Sequence, residues 1–203
     1  MIAYVESNFI LEVAYVREEH GSCDRLMALS ESHALVLALP AFCLGEPYES
    51  WVRRSRDRRA LLDRFAQEIR ELSRSQPYST LLKESQDITR TLIQSGEEKK
   101  RRLDAVIGRV IDTATIIPIE RDTIKAALRL QDERSLSPQD AIVYASVLAH
   151  MAAASGEAKC FLTKNSKDFA NPDIYEDVRA YNCKLLTSFD NGLGYIQSQM
   201  RSS

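Results

Sequence analysis

Carboxylates and small oxygen-bearing side chains gather in four short patches along the chain. They read Tyr4-Val5-Glu6-Ser7-Asn8-Phe9-Ile10, Leu44-Gly45-Glu46, Ser137-Pro138-Gln139-Asp140-Ala141-Ile142, and Phe161-Leu162-Thr163-Lys164-Asn165-Ser166-Lys167-Asp168-Phe169. Each lies where an apolar run meets a helix-like run. Carboxylates drawn together repel one another, and burial adds a desolvation penalty. A cluster of Glu6, Glu46, Asp140 and Asp168 therefore suits a divalent cation better than it suits stability. A hard cation such as Mg2+ or Mn2+ would take oxygens from Glu6, Asp140 and the fourth patch, through Asn165 or Asp168. Held there, it activates water for hydrolysis and neutralises charge growing on a phosphoryl group. Glu46 would orient the attacking water or join a second ion. No rival nucleophile stands out: the chain has no G-x-S-x-G, no placed Cys-His pair and no Walker motif.

Taken singly, each patch has a plainer explanation. Glu6 is an acid near a helix N-terminus, with Ser7 as cap. Ser137-Pro138-Gln139-Asp140 has the spacing of a capping box with proline at the first helical position. Glu46 sits in a first turn, where glutamate is common, and Asn165 and Asp168 follow a strand, as turn residues do. What distinguishes them is their joint occurrence. The helix after Asp140 is small and apolar nearly all round, which suggests a buried helix with an acid at its mouth.

Elements able to bring such patches together alternate along the chain. Short β-like runs fall at 2–5, 34–39, 114–119, 158–163 and 183–187. Helical patterns fall at 8–29, 121–134, 138–154 and near 193–200. Strands alternating with helices imply crossover connections and a mostly parallel sheet, and near-continuous apolar strands imply helices on both faces. The patches would then meet at one sheet edge. The middle of the chain breaks this rhythm. Residues 47–75 read as one long helix ended by Pro77, and 78–112 as a second, interrupted near Gly96. Leu61, Leu62, Phe65, Ile69 and Leu72 keep helical spacing, as do Leu81, Leu82, Ile88, Leu92 and Ile93. The expectation is one domain spanning 1–203, with a helical hairpin inserted at about 53–110.

Charge divides with this architecture. Residues 53–109 hold 15 Lys+Arg against 9 Asp+Glu, a net of +6, and the remainder nets −8, which gives the overall −2. Arg53, Arg54, Arg56, Arg58 and Arg59 are the densest basic run. They read equally as nucleic-acid-binding residues or as a solvated helix face with i,i+4 pairs. Trp51 before them would stack a base or pack the hairpin root. The four cysteines, Cys23, Cys43, Cys160 and Cys183, form no C-x-x-C and fit buried thiols in a reducing compartment. With three histidines, a His-rich metal centre is not indicated. There is no basic leader and no run of 18 apolar residues, so the expectation is a cytoplasmic protein without a membrane partner.

In order and context, the four patches resemble the PIN-domain family of metal-dependent nucleases. The family's first motif is Asp, a small hydroxyl residue, Asn and apolar residues; here it reads Glu6-Ser7-Asn8-Phe9-Ile10. Its second, a Glu on the helix after strand two, is matched by Glu46. Its third, an Asp opening a buried Ala-rich helix, is matched by Asp140-Ala141-Ile142. Its fourth, Thr-x-Asp with Asp-Phe shortly after, is matched by Thr163-Lys164-Asn165 and Asp168-Phe169. The resemblance covers about 1–50 and 112–190 and leaves the hairpin outside.

It implies a three-layer α/β/α fold and a Mg2+- or Mn2+-dependent endoribonuclease, toxin-like in type. Glu6, Glu46, Asp140 and Asp168 would be catalytic, with Ser7, Asn8 and Thr163 in support. Single-stranded RNA is the implied partner, beside a homodimer or a protein inhibitor. Two departures matter. Glu6 replaces an Asp and lengthens the carboxylate by one methylene; Asn165 replaces an acid and removes a charge. They keep a second function open, a catalytically weak or inactive PIN-like module that binds nucleic acid or a partner. A phosphatase or nucleotide hydrolase on a similar sheet is a third, against which stands the lack of a phosphate-cradling glycine loop.

Overall fold

The computed structural model describes residues 1–78, 82–154 and 156–202. Five strands form one parallel sheet: β1 (Ile2–Val5), β2 (Val36–Pro40), β3 (Thr115–Ile117), β4 (Lys159–Leu162) and β5 (Cys183–Leu186), in the order β3-β2-β1-β4-β5. All four pairings are parallel. Every residue of β1 and β4 is buried. That is why these strands are apolar without alternation: both faces are covered. One layer contains α1 (Ser7–Tyr15), α2 (His20–Glu31), α4 (Leu82–Thr113) and α9 (Phe189–Ser202), which pack on one another. A second contains α5 (Arg121–Arg134) and α6 (Pro138–Ala153), packed together and against β2 and β3. This is the α/β/α architecture expected from the alternation of elements. Among the described residues, no helix is long and apolar enough to cross a membrane.

Between β2 and β3 in the chain, α3 (Glu46–Ser73) and α4 form the expected pair of long helices, with a short 3-10 turn at Gln76–Tyr78 after α3. The pair begins and ends a few residues outside 53–110. Gly96 does not interrupt α4, contrary to the sequence expectation. It faces α3 so closely that a Cβ there would meet the Arg58 guanidinium. The apolar stripes are only partly covered. Leu62, Phe65, Ile69 and Leu92 are half-buried, whereas Leu61, Leu72, Ile88 and Ile93 are exposed. Leu81 and the side chain of Leu82 lie outside the described residues. The root of the pair is the firm part. Leu103, Val106, Ile107 and Val110 of α4 are buried in the core, and Trp51 packs against it, as the packing reading of that residue expects.

Two further elements differ from the periodicity. The helix expected at 8–29 is two helices. The first ends at Val16, whose φ of 50° is left-handed, and the buried Glu12 carboxylate accepts the Glu19 N–H at 2.9 Å as the second begins. A side chain thus replaces the helical bonds that the break gives up. After β4, the short α7 (Ser166–Phe169) and α8 (Pro172–Arg179) occupy a stretch that the strand–helix pattern left unassigned. The last helix starts at Phe189, four residues before the expected 193, and Gly192 lets it sit directly on the Leu162 side chain.

Candidate active site

Parallel strands joined by crossover helices put every strand's carboxyl end, and the N-terminus of the helix that follows, on one edge. Glu6 is the N-cap of α1, Glu46 opens α3, and Asp140 is in the first turn of α6. The positive ends of three helix dipoles thus face the same side as three acids. The strand order reverses between β1 and β4, the place where open α/β sheets leave a crevice. Register finishes the placement. Val5 pairs with Leu162, so the next residues, Glu6 and Thr163, emerge side by side.

Glu6 is 4 % exposed and its two oxygens are fully engaged. Oε2 accepts from the Asn8 N–H at 2.8 Å and the Ser7 hydroxyl at 3.2 Å. Oε1 accepts from the Thr163 hydroxyl at 3.2 Å and the Lys164 N–H at 3.3 Å. Burial still pushes its pKa above the usual carboxylate value, against these bonds. The residue has a structural duty in joining β1 to β4.

Asp140 takes the Ser137 hydroxyl on Oδ2 at 2.5 Å, while its own N–H donates to that hydroxyl at 3.1 Å. The capping reading is therefore correct as far as it goes. The other oxygen, Oδ1, accepts from the Asn165 amide at 3.1 Å, so the third and fourth patches touch. Burial raises the Asp140 pKa, the Asp168 charge adds to the rise, and the Ser137 and Asn165 bonds oppose it. Asp168 is half-buried on α7. Glu46 is raised by burial, then by the charges of Glu6, Asp140 and Glu49, with Ser7 opposing. Electrostatically Glu6, Glu46 and Asp140 form one group, and Asp168 joins it through Asp140.

Sequence reasoning missed the buried Cys43, whose thiol pKa is raised by burial and by Glu6, Glu46 and Asp140. Its position three residues before Glu46, on the short 3-10 turn Ala41–Leu44, was the available signal. Lys164 was also missed. Its Nζ bonds the nearly inaccessible Glu12 at 3.2 Å and lies 3.5 Å from Glu18. Asn8, Glu12, Arg17, Glu18, Lys164 and Asn165 line a polar trough of about 340 Å³ next to the carboxylates. The five arginines separate. Arg58 is half-buried against Gly96, while Arg53, Arg54, Arg56 and Arg59 are exposed along α3, Arg54 alone of these lying over the Tyr15 ring.

In chemistry, the donors fit a hard divalent cation. Glu46, raised by the charges of Glu6 and Asp140, and Asp140, raised by that of Asp168, would be relieved by positive charge, and Asn165 carries an amide oxygen of the kind such a cation takes. As they stand, both oxygens of Glu6 and of Asp140 are occupied by protein donors. Among the described residues, no three His, Cys, Asp or Glu side chains converge as an ion-holding group. Binding an ion would require some of these hydrogen bonds to be exchanged.

No curated protein matches the sequence. Among solved structures, a chain from the crystal structure of VapBC2 from Rickettsia felis bound to a DNA fragment from their promoter is similar. It is 14 % identical with a TM-score of 0.46, and the match covers 92 % of this chain and 98 % of that one. The family profile described as the PIN domain matches residues 4–169, a span that takes in all four patches and the helical pair. With the parallel sheet and the acids at its carboxyl edge, that match settles the family: the chain belongs to the PIN-domain proteins.

Proposed function

We propose that the chain is a divalent-cation-dependent endoribonuclease that hydrolyses phosphodiester bonds of single-stranded RNA at the Glu6–Glu46–Asp140 edge. The observation that carries this reading is the placement of three acids with raised pKa values at three helix N-termini on one sheet edge, where the Glu6 and Asp140 charges both act on Glu46, an arrangement that makes sense around a cation. Glu6, Asp140, Asn165 and Asp168 are the residues we assign to holding Mg2+ or Mn2+. When bound, the ion supplies Lewis-acid activation and charge neutralisation at the phosphoryl group. Glu46 has a different task. Its raised pKa brings it nearer the value suited to accepting a proton from an attacking water at neutral pH. The water oxygen then bonds to phosphorus, the bond to the leaving oxygen breaks, and that oxygen acquires a proton. Ser7 and Thr163 hold Glu6 in place. The four cysteines are free and buried, as suits a reducing compartment, and we place the activity in the cytoplasm.

Cleavage of labelled single-stranded RNA, with Mn2+, Mg2+ or excess EDTA, tests this directly. Cation-dependent cleavage that Asp140→Asn abolishes is the expected result. A second reading, an inactive PIN-like binding module, draws support from Asn165, an amide turned toward Asp140. Binding without cleavage under every cation would establish that reading and overturn the first.

A further inference from the structure

Three cations from three segments lie over one aromatic ring at the far end of α1 from Glu6, with a fourth nearby. The Arg17 and Arg54 guanidinium carbons lie 5.5 and 5.6 Å from the Tyr15 ring centre, and Lys99 Nζ lies 6.0 Å from it. Arg58, one turn beyond Arg54 on α3, is near enough that its charge acts on the Tyr15 hydroxyl, as do those of Arg54 and Arg17. None of the four forms an ion pair with a carboxylate among the described residues. Some other basic residues of the hairpin do, Lys100 with Asp104, Arg102 with Glu98 and Arg109 with Asp24 and Glu31, whereas Arg53, Arg56 and Arg59 show none among the described residues and lie over no aromatic ring. The Tyr15 hydroxyl is buried beneath this group and has no hydrogen-bond partner among the described residues. Arg17 does lie near enough to Glu18 for their charges to interact. Like charges gathered without an ion-paired acid, over a buried donor left unmet, amount to a site missing its anion.

We propose that Arg17, Arg54, Arg58, Lys99 and Tyr15 form a subsite for a backbone phosphate of an RNA strand, distinct from the phosphate that is cleaved. The proposal rests on the nuclease reading for the identity of the strand. Two features favour a nucleic acid over an acidic peptide. The first is continuity: Arg17 belongs both to this cluster and to the polar trough that it shares with Asn8, Glu12, Glu18, Lys164 and Asn165, beside the carboxylates, where Lys164 pairs with both of the trough's acids. The second is spacing. Glu6 and Tyr15 stand at opposite ends of α1, whose nine residues span roughly 12 Å, a separation that one strand bridges with successive phosphates. An acidic edge repels phosphate until a cation arrives; a basic grip one helix length away holds the strand meanwhile. Gly96 has a part in this, since only the absence of a Cβ leaves room for the Arg58 guanidinium against α4.

The test is binding of a labelled single-stranded oligoribonucleotide in EDTA, by fluorescence anisotropy across a salt series. An Arg54→Gln, Lys99→Gln variant is expected to bind about tenfold more weakly at moderate salt. Its dependence of log affinity on log salt should fall by roughly 0.7 for each phosphate that is no longer neutralised. Tyr15→Phe should weaken binding several-fold with the salt slope unchanged, because it removes a donor and no charge. Arg54→Lys with Lys99→Arg should restore most of the slope. The comparison pair is Arg53→Gln, Arg56→Gln, which removes two charges from the exposed part of the same helix. An equal loss in that pair would mean general charge attraction and overturn the subsite, as would displacement of the RNA by polyglutamate as readily as by unlabelled RNA. Because binding is read without cation, a wild-type protein that binds with the expected slope but never cleaves overturns the nuclease reading and leaves the subsite standing.

Discussion

Asp140 has two tasks at once, and its substitutions separate them. As a cap partner it offers one oxygen to Ser137 and the other to Asn165, so an asparagine there serves Ser137 and needs the Asn165 amide to turn its own oxygen toward the new NH2; as part of an acidic group it carries a charge that burial and Asp168 disfavour. Its folded pKa is raised, so between the ordinary value, about 4, and the raised value the folded state holds more protons than the unfolded one. Stability therefore falls as pH rises through that window, and the penalty is complete above it. Asp140→Asn keeps the shape and loses the penalty. Without divalent cation it should melt roughly 2–4 °C higher than wild type at pH 7.5, on the order of 1 kcal/mol, and the advantage should vanish near pH 4. Cleavage should drop by about 100-fold or more, since a preorganised charge at the reacting centre is gone. Equal stabilisation of both proteins by Mn2+ would reduce Asp140 to a helix cap. Asn165→Asp should do the opposite. It replaces an attractive bond with a like charge beside Asp140 Oδ1, so the cation-free melting temperature should fall and the Mn2+-induced rise should grow. Calorimetry with and without Mn2+ reads both effects.

Among the elements, α1 and the end of β4 are joined by buried polar groups, Glu6 to Thr163 and Lys164. Lys164, the residue after Thr163, also reaches Glu12 on α1, which is 1 % exposed. Removing the cation leaves a buried carboxylate unpaired. Lys164→Met should cost about 1–3 kcal/mol, below the usual loss for a wholly buried pair because the Lys164 side chain is itself partly solvated. Urea unfolding checks it; a loss under about 0.5 kcal/mol would place the pair among ordinary surface bridges. Gly96 offers the contrasting case on α4. Alanine there gains about 1 kcal/mol in helix propensity, and the atom in its way is the tip of a flexible arginine. Gly96→Ala should therefore stabilise the fold while weakening RNA binding, and a thermal scan beside the anisotropy assay reads both signs.

Across the whole molecule, the acidic sheet domain and the basic helical pair carry opposite charge, net −8 against +6 for residues 53–109. Among the described residues the pair is anchored at its root. Buried apolar side chains of α4 begin at Leu103 and Pro47 is the one buried residue of α3, so the described distal part adds exposed, charged surface and little packing. Replacing residues 62–94 with a short flexible linker should leave a cooperatively folded protein with the sheet intact. Its melting temperature should move by no more than a few degrees. The same deletion removes five basic residues, Arg64, Arg70, Arg74, Lys83 and Arg90, together with five acidic ones, Asp63, Glu68, Glu71, Glu84 and Asp87, so RNA affinity and its salt slope should change little while Arg54 and Lys99 remain. Collapse of the fold on this deletion would mean that the distal helices contribute to the core.

The alternation of apolar runs with helical periods was enough to read the parallel sheet, its five strands and the long helical pair, because those patterns report which faces must be buried. The four acidic patches were legible for the same reason: in a parallel α/β chain, the residue after a strand and the first turn of the next helix share an edge. Periodicity was blind where a single side chain decides the path. It merged α1 with α2, since a left-handed Val16 and a Glu12 carboxylate accepting a distant N–H leave no repeat in the sequence. Nor could composition tell Arg54 and Arg58 from Arg53, Arg56 and Arg59. Only packing of α3 against α4 and the end of α1 puts the first two, with Arg17 and Lys99, at one tyrosine. Strand order and element type follow from local burial patterns, which the sequence carries. The pairing of charges separated by tens of residues depends on how the helices meet, and that is set only when the chain is folded.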